Sequence, residues 1–166
     1  MYHEKITSRR DLAEVLSDQL DSISDESSVY VDLTAQEVFV HVPVEYTGVT
    51  DEEYDGHEVV RMEPFNSNEG FDVMEDFARS RPDALANPLL KALSRSHPFK
   101  MFRYALEDSG QLQDWYAFKN KAYADLAEAR LEECCIDVVD GKIVCGDKSV
   151  VTIYEAECTD GDEDEP

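Results

Sequence analysis

HPFKMFRYALEDSGQLQDWYAFKN, residues 97–120, holds six of the chain's sixteen Phe, Tyr and Trp residues. Its spacing decides the fold. Pro98 starts a helix, and Phe99, Phe102 and Leu106 recur at intervals of three and four, so they share one face. Ser109-Gly110 breaks that helix. A second periodic run from Asp114 to Glu133 places Trp115, Phe118, Ala122, Leu126 and Ala129 on one side, with Tyr116, Tyr123 and Ala127 beside them. Two antiparallel helices joined at Ser109-Gly110-Gln111 bring Phe99 and Phe102 toward Trp115 and Phe118. Most of these rings are therefore expected to close a helical core.

Tyr104 and Tyr116 are less committed, because a tyrosine at a rim keeps its hydroxyl wet and suits packing or recognition equally. Lys100, Arg103, Lys119 and Lys121 cluster around the same block in a chain with only 15 basic residues. Tyr104, Tyr116, Lys100, Arg103 and Lys119 form the candidate interaction surface. The plainer assignment for the cations is salt bridging to Glu107, Asp108 or Asp114.

Upstream, SRRDLAEVLSDQLDS reads as a first helix capped by Ser8, with Leu12, Val15, Leu16 and Leu20 at helical spacing. SSVYVDL, from Ser27, and QEVFVHVPV, from Gln36, alternate as strands joined by the short link DLTAQ. Val38, Val40 and Val42 take one face and Phe39 the other. Residues 45–57, EYTGVTDEEYDGH, read as an acidic loop, and a third strand covers Val59 to Met62. FDVMEDFARSRP, from Phe71, gives a helix with Phe71, Val73, Met74 and Phe77 on its apolar side. ANPLLKALSRS, from Ala86, gives a short helix with Pro88 in its first turn and Leu89, Leu90 and Leu93 inward. CIDVVDGKIVCG, from Cys135, is a hairpin turning at Asp140-Gly141. VVTIYEAE, from Val150, is a further strand. The expected class is α+β: a small antiparallel sheet packed against a helical region containing an aromatic-rich helical hairpin. Residues 1–157 form one domain in this scheme, and 158–166 an acidic, disordered tail.

The blocks FDVMEDFA, LLKAL, HPFKMFRYAL and DWYAFK, together with VYVDLTAQEVFV, resemble the UPF0158 family of uncharacterised bacterial proteins. Here the first aromatic element reads Phe99-Lys100-Met101-Phe102-Arg103, so its basic residues are placed differently from the family's. The resemblance implies a small soluble prokaryotic protein and carries no assigned activity.

Charge is the strongest compositional signal. The chain has 38 acidic and 15 basic residues, a formal net charge of -23, and its last ten residues, ECTDGDEDEP, hold six acids and no Lys or Arg. Such a surface repels nucleic acid and anionic membranes and steers cationic surfaces toward it. It also fits simple solvation, as in a halophilic host. The start, MYHEKITSRRDLAEV, lacks a hydrophobic run and no stretch approaches a membrane span, so the expected location is the cytoplasm.

The chemical inventory is sparse. No G-x-G-x-x-G, Walker-type, H-E-x-x-H or G-x-S-x-G motif occurs. Cys134, Cys135, Cys145 and Cys158 follow no zinc spacing, and Cys134 and Cys135 at a helix C-terminus are poorly placed to form thiolates. His3 lies near the start, and His97, before Pro98, reads as a cap or loop residue. Only a site assembled from dispersed groups, such as His41, His57 and a carboxylate, offers a metal or hydrolase alternative. No cofactor or metal is assigned. The expected role is a non-enzymatic acidic adaptor or regulator that binds a basic protein. The alternatives are a nucleic-acid mimic, with carboxylates in place of phosphates, and the dispersed His–carboxylate enzyme.

Overall fold

The structure is a computed structural model and describes residues 6–23, 26–42, 55–146 and 151–152. It is an α+β chain of two compact units. One comprises residues 1–64 and 126–166 and holds the strands; the other, residues 65–125, is helical. Most of the 45–57 loop, the strand after Thr152, Cys158 and the acidic tail lie outside the described residues.

In the sheet unit, α1 (Arg9–Ser22) begins where the sequence predicts. The Ser8 side chain accepts a hydrogen bond from the Asp11 amide. Thr7 donates from its amide and its hydroxyl to the Asp11 carboxylate, at 3.0 and 2.7 Å. Leu12, Ala13, Leu16 and Leu20 are buried, and α1 lies against the strands Glu37–His41 and Ile136–Val139.

Strands β1 (Ser28–Asp32), β2 (Glu37–His41) and β3 (Glu58–Met62) form an antiparallel sheet in the order β2-β1-β3, and the two-residue β6 (Val151–Thr152) extends it beyond β3. The register sets Val29 between Val40 and Met62, and Val31 between Val38 and Val60. Residues directly opposite one another share a face. The valines and Met62 therefore form one apolar layer, in which Val29, Val31, Val60 and Met62 are buried. Phe39 points to the other face and stacks on Tyr30, ring centroids 5.3 Å apart. The β4–β5 hairpin (Ile136–Val139, Lys142–Cys145) turns at Asp140 (φ 54°) and Gly141 (φ 76°). Both turn residues adopt the left-handed conformation that a tight hairpin demands and that Asp-Gly supplies.

In the helical unit, α2 (Ser67–Arg79) starts four residues before Phe71. Asn66 and Glu69 make a reciprocal capping box, with bonds of 2.8 and 3.0 Å. Its buried side is Gly70, Val73, Met74, Phe77 and Ala78, and Phe71 is only half-buried. Helix α3 (Asp83–Leu93) also starts early, with Pro82 as its N-cap residue, so Pro88 lies inside the helix rather than in its first turn. Leu89 and Leu93 are buried there and Leu90 is half-buried. Helix α4 (Pro98–Asp108) packs beside α3 and ends at Ser109, and Gly110 follows with φ 71°.

The expected aromatic core is present. Trp115 of α5 (Leu112–Glu133) meets Phe102 and Phe77 edge-to-face at 5.1 and 5.5 Å, and Phe118 meets Phe77 at 5.3 Å. Two details differ from the periodic pattern. Phe99 is 48% exposed. It lies in the first turn of α4, where side chains lean toward the N-terminus, so the ring overhangs the helix end and only its edge reaches Gly70. The buried residues of α5 are Trp115, Ala124, Ala127 and Leu131, whereas Ala122 and Leu126 are half-buried and Ala129 is exposed. The helix passes from one unit to the other after Asp125. Each part turns its own residues inward, so no single stripe runs its whole length.

Two predictions follow from these packing facts. Trp115→Ala removes the ring that touches both Phe77 and Phe102 and costs about 3–5 kcal/mol, read as a lower urea midpoint, while Tyr116→Ala on the exposed side leaves the midpoint nearly unchanged. The hydrogen bonds from Thr7, foremost its hydroxyl, hold the Asp11 carboxyl below its ordinary value. The support this gives α1 is present at neutral pH and is lost as the pH falls through that lowered value. Asp11→Asn flattens the acid limb of the stability–pH curve, and an unaltered limb contradicts the assignment.

Candidate functional site

Burial of Phe102 and Leu106 fixes which residues of α4 face outward. With 100° between successive residues, Lys100, Arg103, Tyr104 and Glu107 fall on the opposite side, and all four are exposed. Tyr104 is 47% exposed, and the Lys100 ammonium lies 5.8 Å from its ring centroid. Arg103 Nε donates to Glu107 at 3.1 Å. That hydrogen bond, then the charge the Tyr116 phenol bears when ionised, then the Glu107 charge push the Arg103 guanidinium above its ordinary value. Tyr116, 37% exposed, thus borders the same surface from α5.

Lys100, Arg103 and Tyr104 thus share the outward face of α4, and Tyr116 borders it. Lys119 follows Tyr116 by three residues on α5. Its ammonium stands 5.4 Å from the Tyr123 ring, which itself packs on Phe65 at 4.7 Å. Of the expected salt bridges, Arg103–Glu107 forms. Asp114 instead takes Arg81 at 3.0 Å, and Lys121 takes Asp125 at 3.5 Å.

The sheet unit contains a polar junction that residue spacing did not reveal. Asp32 is fully buried. One carboxylate oxygen accepts the amides of Thr34 and Ala35, each at 2.9 Å, and the other lies 2.6 Å from His57 Nδ1. Gln36 occupies φ 64° at the end of the same turn. Its amide donates to the Leu33 and Ile143 carbonyls at 2.7 and 3.0 Å and accepts from the Ile143 amide at 2.6 Å. The side chain thus mimics a strand edge and ties the β4–β5 hairpin to the β1–β2 turn. Both features are braces: Asp32 ties down the amides of the β1–β2 turn, and Gln36 pairs the backbone of the buried Ile143.

The dispersed His–carboxylate arrangement is not assembled as imagined. His41 stands opposite Ser28 and His57 is held at Asp32, so the two imidazoles occupy opposite ends of β1. Four strand residues separate those ends by about 13 Å. Among the described residues no group of three His, Cys, Asp or Glu side chains is placed to hold a metal ion. His97 is the N-cap residue of α4, at φ 57°, without a side-chain capping bond. The Cys145 thiol donates to the Cys134 carbonyl at 3.2 Å.

Cation pairing explains where the acid surplus remains. Arg9 and Arg10 bridge α1 to Glu128 near the end of α5, and Arg9 also reaches Glu132 at 2.9 Å. Arg61 and Arg79 pair with Glu63 and Glu75. Arg130 binds the carbonyls of Glu63 and Pro64 at 2.8 and 2.9 Å. The charge itself is unevenly distributed. The sheet unit carries 29 acidic and seven basic residues, a net of -22, while the helical unit carries nine and eight, a net of -1.

Comparison with protein-family models, with curated proteins and with solved structures finds no match. Among the described residues, no helix is long and apolar enough to cross a membrane.

Asp32→Ala removes the acceptor shared by the Thr34 and Ala35 amides and the partner of His57, and is expected to cost about 1–3 kcal/mol in chemical denaturation. Asp32→Asn keeps an acceptor for the two amides and costs clearly less. Equal losses for the two variants would place the stabilisation in the His57 contact rather than in the turn.

Proposed function

We infer that the chain is a non-enzymatic acidic adaptor that binds a basic protein through its sheet unit. The observation that carries this reading is the segregation of charge, -22 on one unit against -1 on the other. Acidity serving only solvation has no reason to spare 61 consecutive residues, the whole of the helical unit. Acidity serving recognition is concentrated where the partner docks. A field of one sign on one unit raises the encounter rate with a cationic surface and orients the approach. The helical unit holds nearly equal numbers of cations and acids, so it adds little to the steering. The resemblance to the UPF0158 family adds no activity to this reading.

The test uses the full-length chain as bait in a cell extract at about 0.1 M and about 0.5 M salt, a range over which exposed ionic attraction weakens strongly. The expected result is a basic protein retained at the lower salt and released at the higher. Asp18→Asn/Asp21→Asn/Glu133→Gln, which neutralises exposed acids of the sheet unit, weakens retention several-fold. Asp72→Asn/Asp76→Asn/Asp83→Asn, in the helical unit, leaves it unchanged. Equal weakening by both sets, or no retained protein, defeats the assignment. Release of the captured protein by excess duplex DNA would instead favour the nucleic-acid mimic.

A further inference from the structure

The outward face of α4 carries its charges in an order that complements itself. Lys100 and Arg103 lie in the first half of the helix, Glu107 and Asp108 at its end, and exposed Tyr104 between them. This order is the reverse of what stabilises a helix. The macrodipole favours acids in the first turn and cations in the last. Helices α2, α3 and α5 follow that rule, with Glu69 and Arg79, Asp83 and Lys91, and Asp114 and Arg130. Helix α4 has no acid in its first turn and no base in its last. Its Arg103–Glu107 pair also runs in the weaker direction for an i,i+4 contact. Helix stability therefore gives no account of the arrangement.

We propose that α4 is a self-association face on which two copies of this chain meet, their α4 helices antiparallel about a two-fold axis near Arg103 and Tyr104. That operation sets Lys100 opposite Glu107 and Asp108 of the second copy, and brings Arg103 to the ring of the second copy's Tyr104. Every contact is made twice, as an isologous interface requires. Phe99 and Tyr116, both exposed, supply apolar area. The monomer's own Lys100–Tyr104 and Arg103–Glu107 contacts are exposed, so exchanging them for intermolecular ones costs little.

Charge also selects the occupant. Two chains of net charge -23 repel, and only the helical unit, at -1, lets copies approach without opposing net fields. The same balance gives a basic protein no acid surplus to bind there, and gives a polyanion no cation surplus. The face is one helix of 11 residues, about 16 Å long. An interface of that size lies at the small end for specific contacts, so dissociation is expected on the order of 10–100 μM.

Sedimentation equilibrium of the full chain at about 0.15 M salt, where long-range repulsion is screened, tests this. Wild type rises from monomer to dimer mass with concentration and stops there. Lys100→Glu/Arg103→Glu weakens the dimer at least tenfold, and Glu107→Lys/Asp108→Lys does the same. An equimolar mixture of the two restores dimers, because each altered face complements the other. Unchanged thermal midpoints show that both variants fold. Tyr104→Arg, a single outward change, weakens wild-type association independently. A monomer at all concentrations, a dimer indifferent to these substitutions, a mixture that stays monomeric, or growth past dimer mass would each overturn the proposal.

Discussion

Trp115 is held edge-to-face between Phe77 of α2 and Phe102 of α4, and the helical unit is organised around that contact. Aromatic edges meet aromatic faces because the quadrupoles attract in that geometry, and large rings bury much area at little entropic cost. Once Phe102 is committed inward, the helical period leaves α4 no freedom. Leu106 must follow it, and Lys100, Arg103, Tyr104 and Glu107 must face out. The surface chemistry of this unit is thus dictated by its core. An outward tyrosine and a row of charges are not chosen by burial, and their identities are open to other constraints.

Charge is the second constraint, and it acts at another scale. Local pairing handles the cations: nearly every arginine with a described partner finds it on the next helical turn or a neighbouring element of the same unit. Pairing cannot absorb the acid surplus, because the sheet unit has 29 acids for seven bases. Excess negative charge on so small a body destabilises it through self-repulsion. The partly buried bridge of Arg9 and Arg10 to Glu128 and Glu132, across α1 and the end of α5, offsets some of this where those acids lie closest.

The fold was legible where a local rule fixes the outcome. Ser8 as a cap, DLTAQ as a hairpin link, Asp140-Gly141 as a tight turn and Ser109-Gly110 as a break each state their consequence within a few residues. The Asn66–Glu69 capping box was also written in the sequence, as N-x-x-E, and marks the true start of α2. What spacing could not give was long-range. The Gln36 amide binds Ile143, 107 positions away, and nothing in a glutamine at that point announces a left-handed backbone. Asp32 and His57 are 25 positions apart and meet only because β1 and β3 pair. The apolar run of α5 misled for a related reason: one period was read through a helix that serves two units. Of the candidate surface, four residues fall together because one helix period governs three of them. The Lys119 ammonium also meets the ring of its own i+4 neighbour, Tyr123.

A chain with one strongly acidic unit and one neutral unit can keep two kinds of association apart. Attraction of a cationic partner to the sheet unit is long-ranged and weakens as salt screens it. Contact through the proposed α4 interface differs. The charges that meet there are few, close and balanced within each copy, whereas what opposes it is the repulsion of two chains of net charge -23. Salt screens that repulsion first, because it acts over the longer distance. Raising the ionic strength, which shortens the Debye length, therefore favours the proposed α4 contact while it disfavours the other. A uniformly acidic chain would have no such separation: any face two copies shared would also be a face that drove them apart. The neutrality of residues 65–125 is in this sense as informative as the acidity around it.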